Sequence, residues 1–290
     1  MEQQDYPGLY QAADNASIRA QSRYLLTVKA HIAMLIFGAV LATVPNPSKI
    51  LLLVNAIIFF AALAISVFLA NKKLEADWYS TRAVAESVKT STWRYMMCAE
   101  PYPASKQIVE ANSAFGTLLS DILKSNNGIS NQFSGEDCAS EQISATMKAN
   151  RTKSLKERKT LYLTERIDDQ RKWYADKTRY NQQRSRLFFW LLIACQSMAV
   201  LLVVSRVAFP NWEIWPTEVF VVVAGSVTTW VQLKRFEANA ASYSLAAHEI
   251  SLIQTKIDKS NTDSDFSNFV QDTENAFSRE HTQWVAKVQH

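Results

Sequence analysis

The sequence predicts an all-α polytopic membrane protein: two antiparallel transmembrane hairpins, four spans in all, carrying long cytoplasmic helices. Apolar residues gather into four blocks of about the length a bilayer core requires, roughly 20 residues per helix. A hydrophobic fraction of 48% coexists with a mean hydropathy of only −0.11 because charge crowds the segments between those blocks. Six Gly and seven Pro in 290 residues favour helices over a turn-rich β fold.

Span one runs from about Leu25 to Val44, with Lys29 and His31 near its start, so Lys29 is expected to snorkel to the interface. Span two, about Ile50 to Ala70, has no charge and contains Ile57-Ile58-Phe59-Phe60. Span three, about Leu187 to Phe209, begins with Phe188-Phe189-Trp190. Span four, about Trp215 to Leu233, is rich in Val and Thr, and Trp212, Trp215 and Trp230 suit an interfacial belt. Burial in a large soluble core is the alternative, disfavoured by the length and uniform apolarity of spans two and three. Pro45-Asn-Pro-Ser-Lys49 separates the first pair; Pro210-Asn211 and Pro216 separate the second. Such short turns make hairpins and leave no room for an outer domain.

Orientation follows from basic residues close to the membrane. Arg19, Arg23, Lys29, Lys72, Lys73, Arg184, Arg186, Lys234 and Arg235 fall on one side, and only Lys49 and Arg206 on the other. Both termini and the middle segment are therefore predicted cytoplasmic. The polar, initially acidic first 25 residues do not read as a signal peptide.

A constant shift of 163 positions relates the hairpins: Tyr10 falls on Trp173, Ala12 on Ala175, Ser22 on Ser185, Arg23 on Arg186, Lys72 on Arg235, Ala83 on Ala246 and Glu86 on Glu249. Each half reads as a helix entering the membrane, a hairpin and a helix leaving it; chance likeness is the competing account. The expected organisation is a first two-span unit over 1–100, a cytoplasmic linker over 101–147 with a short helix around Ala114 to Lys124, and a second unit over 148–290. Asn126-Asn127-Gly128 and Ser134-Gly135 punctuate the linker. No Gly or Pro interrupts Ala139 to Phe209, which could form one long helix carrying Leu163, Ile167, Gln170 and Tyr174. After span four, Ala246, Ile250, Ile253 and Ile257 form an apolar stripe. Phe266, Val270, Phe277, Trp284 and Val288 form another beyond the break at Asn261 to Asp265, and both are expected to bury against each other or against neighbouring subunits.

Composition and motifs exclude several function classes. A formal charge of +4 with both signs interspersed gives no footprint for direct nucleic-acid binding. Cys98, Cys138 and Cys195 have no paired spacing, which argues for reduced thiols rather than disulfides or zinc. There is no Walker lysine loop, GxGxxG, GxSxG or HExxH. His31, His248, His281 and His290 are scattered, and the adjacent pairs Asp168-Asp169 and Glu136-Asp137 point about 100° apart on a helix, too far for a dyad. The first pair suits helix solvation and the second a helix cap. No enzyme, metal or cofactor is expected.

Uncharged polar residues inside the spans are the candidate functional positions. Asn55 and Ser66 are eleven positions apart and return to nearly one helical face. Glu218, Val222, Gly225, Thr229 and Gln232 follow a helical stripe in span four, and span three offers Gln196 beside Ser197. Polar groups in hydrocarbon need partners or water, so these faces either bond helices together or line a pore.

The segment Asp77-Trp78-Tyr79-Ser80-Thr81-Arg82-Ala83-Val84-Ala85-Glu86-Ser87-Val88-Lys89, continuing through Trp93-Arg94-Tyr95, resembles the Trp-x3-Arg-Ala-x2-Glu-x2-Lys signature that follows the hairpin of SLATT domains. These are the SMODS- and SLOG-associating two-transmembrane effector domains of bacteria. The second half is similar, through Arg166-Ile167-x2-Gln170-x2-Trp173-Tyr174 before its hairpin and Tyr243, Ala246 and Glu249 after it. It departs in carrying Ala241 and Leu245 where the shift places Trp78 and Arg82. The resemblance spans most of the chain outside about Pro101 to Met147.

It implies a multi-pass protein of the bacterial inner membrane, a pore-forming or membrane-disrupting effector in antiviral defence. Its partner would be a nucleotide-sensing or nucleotidyltransferase protein, and it would form a homo-oligomer because four spans enclose little lumen. It carries over no catalytic residues. Trp78, Arg82 and Glu86 share one helical face, so Arg82 and Glu86 can pair and fix how the helix leaves the membrane, with Glu249 the second copy's counterpart; simple solvation is the alternative. A membrane-anchored scaffold recruiting a cytoplasmic partner is the competing function.

Overall fold

Where the apolar blocks end, the chain caps its helices with the residues that local chemistry favours. Ser48 accepts a hydrogen bond from the Leu51 N–H at 3.2 Å and starts the second helix; Ser154 and Glu157 form a reciprocal capping box. A computed structural model describes residues 1–72, 74–133 and 140–288, with side chains for all of these except 130, 259 and 279–288. In chain order the helices are α1 (Gly8–Ala42), α2 (Lys49–Asn71), α3 (Leu74–Met96), α4 (Ile108–Ser125), α5 (Ala145–Arg151), α6 (Leu155–Tyr162), α7 (Asp169–Ala208), α8 (Thr217–Lys234), α9 (Phe236–Gln254) and α10 (Asp263–Val288). All regular structure among the described residues is helical, in agreement with the predicted class. The expectations placed on Lys73, Ser134-Gly135, Glu136-Asp137, Cys138 and His290, and on the side chains of His281, Trp284 and Val288, fall outside the described residues and side chains.

Two compact units form. The first comprises Met1–Gln21, Glu75–Asp176 and Ser242–His290; the second comprises Ser22–Leu74 and Lys177–Ala241.

The second unit holds the apolar blocks. Among the described residues, three helices are long and apolar enough to cross a membrane by length and composition: Gly8–Ala42, Lys49–Asn71 and the continuous helix Leu155–Ala208. α8 is shorter, at 18 residues, and carries Glu218 and Lys234 in its first and last turns. These helices turn their apolar side chains outward. Ile50, Ile57 and Phe60 on α2 are 67–75% exposed, and Val207 on α7 is 83% exposed. A surface of this kind is unfavourable in water and matches a lipid solvent. Hairpin α1–α2 turns through Asn46, whose φ of 49° lies in the left-handed region that asparagine tolerates. Aromatic side chains cluster where α7 gives way to α8: the rings of Trp212 and Trp215 are 5.7 Å apart, and the Trp215 indole N–H donates to the Trp212 carbonyl at 2.9 Å.

The first unit has a conventional core. Trp93, Tyr95, Met96 and Met97 at the end of α3 are fully buried with Tyr102, Phe115, Met147, Tyr162, Ile167 and Phe266. Ala246, Ile250 and Ile257 are buried there, Ile253 packs against them, and Phe266, Val270 and Phe277 join the same cluster. The described residues of both apolar stripes of the C-terminal segment therefore bury within this unit.

The uninterrupted stretch from Ala139 yields a long helix only from Leu155. The side chain of Arg151 explains the earlier break: its guanidinium donates to the carbonyls of Tyr95, Tyr102 and Pro103 at 2.9, 2.9 and 3.1 Å, tying the end of α5 to α3 and the segment that follows it. Three residues later Ser154 caps a new start. A π turn at Leu163–Asp168 then shifts the register between α6 and α7 and carries Arg166 and Ile167 into the core.

Candidate functional site

The polar residues of the spans fall into two sets. α2 buries a stripe of Leu51, Asn55, Ile58, Ala62 and Ser66 that is partly or wholly withdrawn from solvent. Ser66 Oγ lies 3.0 Å from His31 Nε2 on α1 and also donates to the Ala62 carbonyl at 3.2 Å. The Asn55 Oδ1 is buried, and a Cβ added at Gly38 of α1 would sit 3.3 Å from it and 2.8 Å from the Phe59 ring. Gly38 thus permits the close approach of α1 and α2. Asn55 and Ser66 both lie in this helix contact.

The second set points the other way. Gln196 and Ser197 on α7 are exposed, as are Glu218, Gly225, Thr229 and Gln232 along α8. A Cβ added at Gly225 would meet nothing within 4 Å. The Thr229 hydroxyl donates back to the Gly225 carbonyl at 3.0 Å, so this threonine is satisfied within its own helix. The amides of Gln196 and Gln232 stand on the outer faces of their helices. Lys29 and Lys234 place their ammonium groups over the Trp230 ring, 5.7 and 5.9 Å from its centroid.

In the first unit the residues quoted for the family signature are side by side. Arg82 Nη2 is 2.6 Å from Glu86 Oε1, and Nη1 is 3.1 Å from Asp14 Oδ1. Burial works against the Arg82 charge, but the carboxylates of Glu86 and Asp14 outweigh it and raise its pKa above the ordinary value. Trp78 stacks on Tyr79 with ring centroids 4.7 Å apart. Glu249 and Leu245, the second copy's counterparts of Glu86 and Arg82, are exposed. The second copy therefore has no equivalent of the ion pair.

Arg82, Glu86 and Lys89 of α3 line a cleft of about 70 Å³ together with Arg166, Gln170, Trp173 and Tyr174, the motif that precedes the second hairpin. Residues some 80 positions apart in the sequence thus share one concave surface. Trp173 and Tyr174 are held from behind by Tyr243, at ring centroid distances of 5.5 and 5.8 Å. Lys89 is half-buried; burial lowers its pKa from the ordinary 10.5, and Glu86 offsets this only in part.

Beneath the cleft lies an ion pair that the sequence reading missed. Arg166 and Glu274 have side chains 2% and 0% exposed, and they form a two-point contact: Nε to Oε1 at 2.8 Å and Nη2 to Oε2 at 2.7 Å. The Tyr162 hydroxyl donates to Oε1 at 2.9 Å, and burial together with Glu274 pushes its pKa well above the ordinary value. The guanidinium also lies over the Phe277 ring at 4.8 Å. A signal was present: Glu274 falls four positions after Val270 and three before Phe277, on the apolar stripe itself. An acid on a buried stripe requires a cationic partner.

Comparison with known families agrees with the duplicated pattern. A model described as SMODS and SLOG-associating 2TM effector domain 3 matches residues 7–159, and one described as SMODS and SLOG-associating 2TM effector domain 1 matches residues 162–284. Among curated proteins and among solved structures nothing matches the chain. The chain belongs to the SLATT family, as two of its domains in tandem.

Proposed function

We propose that this chain is a bacterial membrane effector that assembles with copies of itself into a pore, or otherwise breaches the membrane, when a signalling partner triggers it. α8 supplies the fourth span in this reading, so that both termini and the first unit lie on the cytoplasmic side. The SMODS- and SLOG-associating description of both matching models supports a partner from nucleotide-signalling conflict systems.

One observation carries the reading: the second hairpin leaves Gln196, Thr229 and Gln232 exposed, while the first turns Asn55 and Ser66 toward its own helix contact. Gln196 and Gln232 on an outer face of a single copy would meet hydrocarbon, and an unsatisfied amide there costs several kcal/mol by the order of magnitude for buried polar groups. A ring of copies removes that cost by facing those amides, with Gly225 and Thr229, to a water-filled lumen.

The test is conductance of the purified full chain in liposomes, alone and with its activated partner. Replacing Gln196, Thr229 and Gln232 by Leu, singly and together, is expected to reduce conductance at least tenfold while membrane insertion and folding persist. A conductance-free wild type, or Leu variants that still signal normally in cells, would instead identify a membrane-anchored scaffold.

A further inference from the structure

Two lysines from different hairpins meet at one aromatic ring in the second unit. Lys29 belongs to α1, Lys234 ends α8, and both ammonium groups lie over the ring of Trp230. Burial lowers the Lys234 pKa below its ordinary value, and Lys29 and Lys177 lower it further, so a third cation, from α7, acts on the same place. Lys29 and Lys177 are exposed and Lys234 and Trp230 are half-buried, so all four can be reached from outside. Among the described residues the Lys29 and Lys234 ammonium groups have no hydrogen bond or ion pair, and the Trp230 indole N–H has no acceptor.

Acids do not neutralise the cluster. The sequence of this unit contains three: Glu213, Glu218 and Glu237. Glu213 precedes α8 and Glu218 lies in its first turn, about 24 Å along the axis from Lys234. Only Glu237 follows the cluster, and it is exposed beyond the left-handed turn at Arg235. Asp176, the residue before Lys177, projects about 100° away around α7. Lys29 stands near the start of span one and Lys234 directly after span four, where hydrocarbon gives way to headgroups.

We infer that Lys29, Lys177, Trp230 and Lys234 form a site for the headgroup of an anionic phospholipid. The two ammonium groups over the ring supply charged donors to the phosphate oxygens, and Lys177 adds to the attraction. The indole N–H offers a neutral donor to the headgroup or the ester carbonyls. Binding replaces repulsion among three cations by attraction to a shared anion. Since Lys29 comes from the first hairpin and Lys234 from the second, one lipid ties the two hairpins together at this membrane face. The inference rests on membrane insertion and is independent of the pore reading.

The test uses the full chain in phosphatidylcholine nanodiscs in which phosphatidylglycerol replaces a rising share of the lipid. Amine-reactive labelling of each lysine is read by mass spectrometry. Phosphatidylglycerol is expected to slow labelling of Lys29 and Lys234 saturably and by at least about tenfold. Lys72, an exposed lysine on the same predicted face, reports the diffuse surface potential and should slow far less. Lys29→Gln with Lys234→Gln should lower the affinity for phosphatidylglycerol roughly thirtyfold, the product of about fivefold for each basic residue at an anionic surface. That affinity is read by native mass spectrometry of retained lipid, and Lys29→Arg with Lys234→Arg should preserve it. Equal slowing at Lys72, no saturable slowing at Lys29 and Lys234, or undiminished lipid retention by the Gln variant overturns the inference. Equal protection by inorganic phosphate in pure phosphatidylcholine discs also overturns it, since the ligand would then be a soluble ion. If the Gln variant fails to insert, labelling of the wild type decides alone.

Discussion

Removing Glu274 tests how the first unit is held together. Glu274→Ala leaves the Arg166 guanidinium in place, 2% exposed, without either of its two charged contacts, and deprives the Tyr162 hydroxyl of its acceptor. Stripping one partner from a buried pair costs about 3–5 kcal/mol, because the remaining charge keeps its desolvation penalty and loses its compensation. For a unit of this size a kcal/mol moves the melting temperature by about 2–4 °C, so the expected drop is roughly 6–20 °C. The assay is thermal unfolding of the detergent-solubilised full chain, followed by tryptophan fluorescence that includes the buried Trp93. The double variant Arg166→Met with Glu274→Leu removes both charges together and should recover most of the loss, since a well-packed apolar pair is often neutral relative to a buried ion pair. A Glu274→Ala shift below about 1 kcal/mol would refute the argument, since it would mean that water reaches the guanidinium. A double variant no better than the single would show that the charges, rather than their pairing, hold the π turn against α10.

Gly8→Ala is expected to loosen the N-terminal helix from the segment before α5: the new Cβ would lie 2.7 Å from the Ser140 carbonyl oxygen, a backbone atom that cannot step aside. The cost should be about 1–3 kcal/mol, read as faster amide exchange of Gly8 and Leu9, whose N–H groups bond Glu141 and Gln142. For Lys89, burial sets the folded pKa below the unfolded 10.5, so the unfolded chain binds more protons in the interval between those values and stability rises with pH across it. Lys89→Met removes that contribution. Melting temperatures of wild type and variant should therefore converge as pH climbs toward 10.5, and parallel curves would count against the burial.

The three long apolar helices were legible in the sequence because bilayer physics acts on composition. A helix in hydrocarbon satisfies its own backbone and needs only apolar length, and length and polarity can be counted along a chain. The recurrence of Arg23 at Arg186 and Glu86 at Glu249, in the same order around both hairpins, was legible for the same reason. Helical periodicity also predicted the buried faces of α9 and α10, since a 3.6-residue repeat records which side is dry.

Tertiary structure decided which polar groups meet. Asn55 and Gln196 look alike in sequence, each an amide in an apolar span, yet one faces Gly38 across a helix contact and the other stands on an outer face. The sequence also placed Arg82 and Arg166 in separate motifs with no reason to associate them. Their meeting in one cleft depends on the π turn that rotates Arg166 inward and on Glu274, 108 positions away, which holds it there. A linear pattern records the solvent around each helix. Pairings between helices arise only from the packing that brings distant charges within a few ångströms, where burial makes each one depend on the other.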